Sequence, residues 1–267
     1  MIDIALVYPD LLGTYGDGGN ARVLAQRLTW RGIPARVVTV HLGTPLPHSC
    51  AIYTLGGGED APQSLAAAEL RAEGALAAAV DSGAAVLAVC AGLQVIGTRF
   101  RTADGFVDGV GLVDVETLSA LASRAVGELV VDAEPGRGLA RLSGYENHAG
   151  ATTLGPGVAP LGRVASGVGN DGRFDGFVAG NILGTYMHGP VLARNPDMAD
   201  LLLRWAVGEL PPLERPDIDA EAEGLRQERL AAAARSGTGS GPAQRRSQRK
   251  RRFAITTNPA NHTPRTR

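Results

Sequence analysis

The chain has 267 residues, 44% hydrophobic and 20% charged, which is enough for a substantial core and excludes a wholly disordered protein. No apolar run reaches the roughly 18 residues of a transmembrane helix, and the N-terminus lacks the basic start and apolar stretch of a signal peptide. The two cysteines, Cys50 and Cys90, cannot build a disulfide framework or a four-thiolate zinc site, so a cytoplasmic chain with no metal site is expected.

In chain order, Asp3–Tyr8 is a short apolar run closed by Pro9 and reads as a strand. A Gly-rich loop follows, then Ala21–Arg31 with helical spacing, stopped by Gly32 and Pro34. Ala35–Val40 and Ala51–Leu55 are further strands, the second ending in Gly56-Gly57-Gly58. Pro62–Val80 has the Ala-rich composition of a helix. Ala84–Val89 is continuously apolar, as in a strand buried on both faces, and a helical segment begins directly after Cys90. Short β-like runs (111–118, 127–133 and 181–187) are spaced by Gly-rich turns. Asn195-Pro196-Asp197 supplies a cap, a proline and an acid to open a helix over Met198–Val207.

The alternation predicts an α/β fold, a three-layer sandwich around a mainly parallel central sheet. Residues 1–210 are expected to form one domain and 211–235 a helical extension. Residues 236–267 are expected to be a disordered basic tail. That tail holds eight basic and no acidic side chains, so with an overall charge of −1 the first 235 residues carry −9. Its Arg-rich cluster has the character of a solvated extension, and no nucleic-acid partner is expected.

Cys90 is the residue with the most suggestive setting. A cysteine between a buried strand and a helix sits on a sharp turn at the carboxyl edge of the sheet, where open α/β folds bind ligands. The helix N-terminus offers unpaired N–H groups and a positive partial charge, both of which favour the thiolate. Cys50 has no such turn. A nucleophile needs a base, and His188 closes the β-like run Asn181–Met187 at what would be the same sheet edge. His148, in a polar loop-like stretch, is the reserve. An oxyanion hole would draw on the Ala91 N–H and on the glycines 56–58.

At these residues the sequence resembles the class I glutamine amidotransferase family, whose nucleophile motif Gly-x-Cys-x-Gly-x-Gln appears here as Ala88-Val89-Cys90-Ala91-Gly92-Leu93-Gln94. Tyr15-Gly16-Asp17-Gly18-Gly19-Asn20, Gly56-Gly57-Gly58-Glu59-Asp60 and Tyr186-Met187-His188-Gly189-Pro190 are similar to the cobyric-acid-synthase-like branch. Trp30-Arg31-Gly32-Ile33 and Gly144-Tyr145-Glu146-Asn147-His148 point further, to the glutaminase subunits of lipid II-amidating complexes.

The resemblance implies hydrolysis of L-glutamine, with Cys90 as nucleophile and His188 as proton relay. It implies Gly57 and Ala91 as oxyanion donors, Gly58 being the alternative to Gly57, and Arg124 and Gln94 as substrate-binding residues. Ordinary members carry His-x-Glu, but Pro190 stands at the Glu position. A Cys–His dyad is therefore expected, its missing carboxylate coming from a partner, from Glu146 or from another internal acid. The implied partner is a Mur-ligase-like subunit of a heterodimer that handles lipid II. ATP and magnesium are expected on that partner, with no cofactor in this chain, whose first 235 residues contain neither a phosphate loop nor a lysine. An amidotransferase with another acceptor, a stand-alone cysteine amidase and a non-catalytic module of the same fold are the alternatives.

Overall fold

A computed structural model describes residues 1–238; the expected tail boundary moves, since helix runs on through residues 236–238, and the rest of the tail, from 239, lies outside the described residues. The first half follows the expected alternation: β1 (Ile2–Val7), α1 (Gly19–Thr29), β2 (Ala35–Val40), β3 (Ile52–Leu55), α2 (Asp60–Glu73), α3 (Ala75–Asp81), β4 (Ala85–Val89) and α4 (Ala91–Ile96). The stretch read as one helix is two, because Gly74 takes a left-handed conformation (φ 68°) that ends α2 and opens α3. Next come β5 (Arg99–Thr102), β6 (Gly105–Asp108), β7 (Val115–Ala133), β8 (Leu142–Leu154), β9 (Gly162–Ser166), β10 (Phe174–Asp175), β11 (Phe177–Ala179) and β12 (Ile182–Thr185). The helices α5 (Val191–Arg194), α6 (Pro196–Val207) and α7 (Pro216–Thr238) complete the described chain.

The central sheet has the order β11-β12-β4-β3-β1-β2 and is parallel except at β11. Every residue of β3 and β4 is buried, which is why β4 reads as an unbroken apolar run. Helix α1 packs on α5 and α6, whereas α2 packs on α3 and α4, which accounts for the two helical layers.

A second, mostly antiparallel sheet, β10-β9-β7-β5-β6 with β8 on β7, was not anticipated as a separate layer. Two of the short β-like runs are in fact parts of one 19-residue strand, β7. Its middle is built of small, weakly β-prone residues, and pairing with β8 carries the strand across them through two register shifts.

Candidate active site

Parallel strands end at one edge, and three of them deliver parts of a site there. Register pairs Leu55 of β3 with Ala88 of β4, and Thr185 of β12 with Val89. Gly56–Gly58, Cys90 and His188 therefore leave the sheet side by side.

Cys90 has φ 52° and ψ −106°, a backbone conformation that L residues avoid at a cost of about 1–3 kcal/mol. The turn is held because the Cys90 N–H donates to the Thr185 carbonyl (2.9 Å) and the Gly92 N–H to the Gly56 carbonyl (3.0 Å). A Cβ on Gly92 would lie 2.8 Å from the Leu55 oxygen, so only glycine lets the two chains meet. Cys90 stays 8% exposed, enough to line a cavity of about 320 Å³ between the sheet edge and the β7–β8 pair. That volume is near the lower end for small-molecule sites, about 300 Å³.

His188 is buried and fixed from two sides. Its N–H donates to the Tyr145 carbonyl (2.7 Å), and its Nδ1 lies 2.8 Å from Oδ2 of Asp17. A carboxylate only accepts, so Nδ1 carries the proton and Nε2 is the atom turned to chemistry. Nε2 is buried without a hydrogen-bond partner among the described residues. Burial alone would lower the pKa of His188, but the Asp17 carboxylate and the neighbouring Cys90 sulfur outweigh it and push it up to about 10. The imidazole is therefore a cation at neutral pH, placed against a cysteine sulfur.

Asp17 corrects the expected dyad. Pro190 does lack a carboxylate, yet the third group comes from the loop after β1 in this same chain. It accepts three bonds: from His188, from the Gly189 N–H (2.9 Å) and from the Gly57 N–H (2.8 Å). Glu146 is committed elsewhere. It accepts the Val168 and Gly169 N–H groups and pairs with His148 Nε2 at 3.2 Å. The reserve histidine, His148, also lines the cavity but is stacked on Tyr186 (ring centroids 3.8 Å apart) and bonded through Nδ1 to the Gly150 carbonyl.

Of the expected oxyanion donors Gly57 and Ala91, the structure places only Ala91 with a free N–H beside Cys90. The Gly57 N–H is occupied by Asp17, so Gly57 braces the acid instead. Gly58 and Ala91 line the cavity beside Cys90, and their N–H groups donate to no other described residue. This pair can receive negative charge on an oxygen next to the sulfur.

Gln94 faces the same cavity, with its Oε1 accepting from Gln63 Nε2 (2.7 Å) and its Nε2 donating to the Tyr186 hydroxyl (3.0 Å). Burial, with the Cys90 sulfur nearby, pushes Tyr186 up to about 12, so its hydroxyl keeps its proton. Arg124 reaches the cavity from β7. It forms no ion pair among the described residues and bonds only to Asn147, which leaves its charge available to a ligand carboxylate. Glu59 and Asp60 also line the cavity, which therefore offers both signs of charge to a zwitterion.

Residues 3–196 match a family described as the CobB/CobQ-like glutamine amidotransferase domain. The chain belongs to that family. The subunit GatD of lipid II isoglutaminyl synthase (glutamine-hydrolysing) from Staphylococcus aureus is 36% identical over 80% of this chain and 88% of its own length. The GatD subunit from Streptococcus pneumoniae is 32% identical over 77% of this chain and 80% of its own. A cobyric acid synthase from Rhizorhabdus wittichii is 37% identical over 62% of this chain, which spans only 34% of that longer protein.

In this CobB/CobQ-like amidotransferase domain, the candidate residues Cys90, Ala91, Gln94 and Arg124 line one cavity, and His188 stands beside Cys90 without lining it. Asp17 and Asn147 were missed as site residues, though both lie in motifs the sequence reading had singled out. The available signal for Asp17 was its position: an acid flanked by glycines in the loop leaving β1, which ends at the same edge as β3 and β4. Among the described residues, no group of three His, Cys, Asp or Glu side chains is arranged to hold a metal ion.

Proposed function

We propose that this amidotransferase is the glutaminase subunit of a lipid II isoglutaminyl synthase. The observation carrying the chemistry is the in-chain array Cys90–His188–Asp17 at a cavity that also holds an unpaired arginine. Likeness to GatD subunits over most of both chains supports the assignment to a cell-wall amidating complex.

In the reaction, the α-carboxylate of L-glutamine pairs with Arg124 and Gln94 seats the side chain. The Cys90 sulfur, its proton held on His188 Nε2, attacks the amide carbon, and the oxygen takes negative charge against the Gly58 and Ala91 N–H groups. As the carbon–nitrogen bond breaks, His188 Nε2 gives its proton to the departing nitrogen and ammonia leaves, forming a thioester. Water then gives a proton to His188 and attacks the thioester carbon, which releases glutamate and restores the cysteine. Asp17 holds the imidazole in place and stabilises its positive charge throughout.

Ammonia is handed to a Mur-ligase-like partner, of the MurT kind, in a cytoplasmic heterodimer. That partner supplies the ATP- and magnesium-dependent activation of the D-glutamate carboxylate of lipid II, and amidation yields D-isoglutamine. Lipid II is met through the partner, and among the described residues no helix is long and apolar enough to cross a membrane. The test is glutamate release from L-glutamine by the purified chain, with and without the partner. Cys90→Ala and His188→Ala are expected to abolish it with the fold intact, and unchanged turnover in Cys90→Ala overturns the mechanism.

A further inference from the structure

Arg124 sits on a strand at the mouth of the cavity, and a guanidinium on a long, exposed side chain has many orientations. Here it has been given one. Its Nε donates to the side-chain oxygen of Asn147, and Nη2 makes only a long contact (3.5 Å) with the Asn147 carbonyl. Arginine cannot accept, so the amide oxygen must face it and the amide nitrogen must point away. That nitrogen donates to the hydroxyl of Tyr15. Tyr15 is in turn held by a left-handed backbone (φ 58°) and by its ring, which lies edge-on to His188 with centroids 4.8 Å apart.

Resting on the glutaminase reading, we infer that Asn147 is a positioning residue for substrate recognition. It occupies the Nε side of Arg124, so the two Nη groups are left as the edge that a carboxylate can engage in bidentate fashion. Tyr15 fixes the amide from behind. The side chain thus converts a mobile cation into an oriented receptor for the α-carboxylate of a free amino acid, and it acts through Arg124 without touching the reacting atoms.

The experiment compares two electrophiles at Cys90 of the full chain. The glutamine analogue 6-diazo-5-oxo-norleucine carries the α-carboxylate, whereas iodoacetamide does not. In Asn147→Ala, the second-order labelling rate with the analogue is expected to fall roughly tenfold to a hundredfold, the range for losing a hydrogen bond to a charged group. The loss should appear as weaker saturation, with iodoacetamide labelling within about twofold of wild type. Tyr15→Phe, which removes the brace alone, should give a smaller loss of the same kind. In an Arg124→Ala background, Asn147→Ala should add less than about twofold, because the residue it orients is gone.

An unchanged rate in Asn147→Ala, an equal fall with both electrophiles, or an undiminished effect without Arg124 overturns the inference. Absence of saturable labelling in the wild-type chain is a different outcome, because it overturns the glutaminase reading and this inference with it.

Discussion

Asp17 and His188 are 171 residues apart in the chain, yet Oδ2 of one lies 2.8 Å from Nδ1 of the other, and both side chains are almost wholly buried. The contact makes the Cys–His–acid array complete within a single polypeptide. On the proposed function, a partner subunit would then have no carboxylate to supply to the histidine.

The first expectation concerns that acid. Asp17→Asn keeps the shape but offers an NH2 group where one carboxylate oxygen stood, so it cannot stabilise a charged imidazole. Glutamate release should fall by roughly 10²- to 10⁴-fold, by analogy with loss of the acid from a serine-protease triad. The isolated wild-type chain should retain basal glutaminase activity. Near-normal turnover in Asp17→Asn would mean that the carboxylate comes from elsewhere.

A second expectation follows from the charge on His188. Its pKa is about 10 in the folded chain and near 6.5 when free of these neighbours. A raised folded value stabilises the protein fully below about pH 6.5, and that contribution is lost as pH climbs through 10. The stability advantage of wild type over His188→Gln, measured by denaturant titration, should therefore shrink steadily between about pH 6.5 and 10. A constant difference over that range would contradict a cationic imidazole.

Gly57 tests the packing around the same ring. Its Cβ, were there one, would lie 2.4 Å from His188 Cε1 and 2.9 Å from Thr14 Oγ1. Gly57→Ala must push the imidazole aside, and a shift of about 1 Å in a catalytic group can cost about a hundredfold. Turnover should fall by that order while overpacking costs only about 1–3 kcal/mol in unfolding. Wild-type kcat in Gly57→Ala would show that His188 has room the structure does not give it.

How much of this could be read from the sequence depended on range. Strands β1, β3 and β4 were legible because strands inside a parallel sheet are apolar on both faces, and Cys90 because it stands at a strand–helix junction. The long β7 was not, since residues 119–126 show no alternation and are held by β8 only at their two ends. Asp17 escaped assignment for a related reason. Nothing local marks a loop aspartate as the partner of a histidine 171 residues later; only the parallel order β12-β4-β3-β1 brings their loops to one edge. The choice between Gly57 and Gly58 as oxyanion donor likewise depended on where Asp17 would bind.

The last expectation lies outside the cavity, where ion pairs join α7 to α1 and α6. Arg27 of α1, 3% exposed, bonds through Nε and Nη2 to both oxygens of Asp200 on α6, and through Nη1 to Asp219 on α7. The three helices converge on one guanidinium. Arg27→Ala removes the centre of this cluster and leaves the Asp200 carboxylate with Arg31 alone. Removing one partner of a buried pair typically costs about 3–5 kcal/mol, and the remaining Arg31 contact places this variant near the lower end, about 3 kcal/mol. Asp219 is 37% exposed, so water screens its contribution and Asp219→Ala should cost less than about 1 kcal/mol. Unfolding in urea distinguishes the two variants by their midpoints. Proteolysis should then show α7 cleaved readily in Arg27→Ala, whereas equal small losses in both variants would mean that the cluster does not hold α7 to the domain.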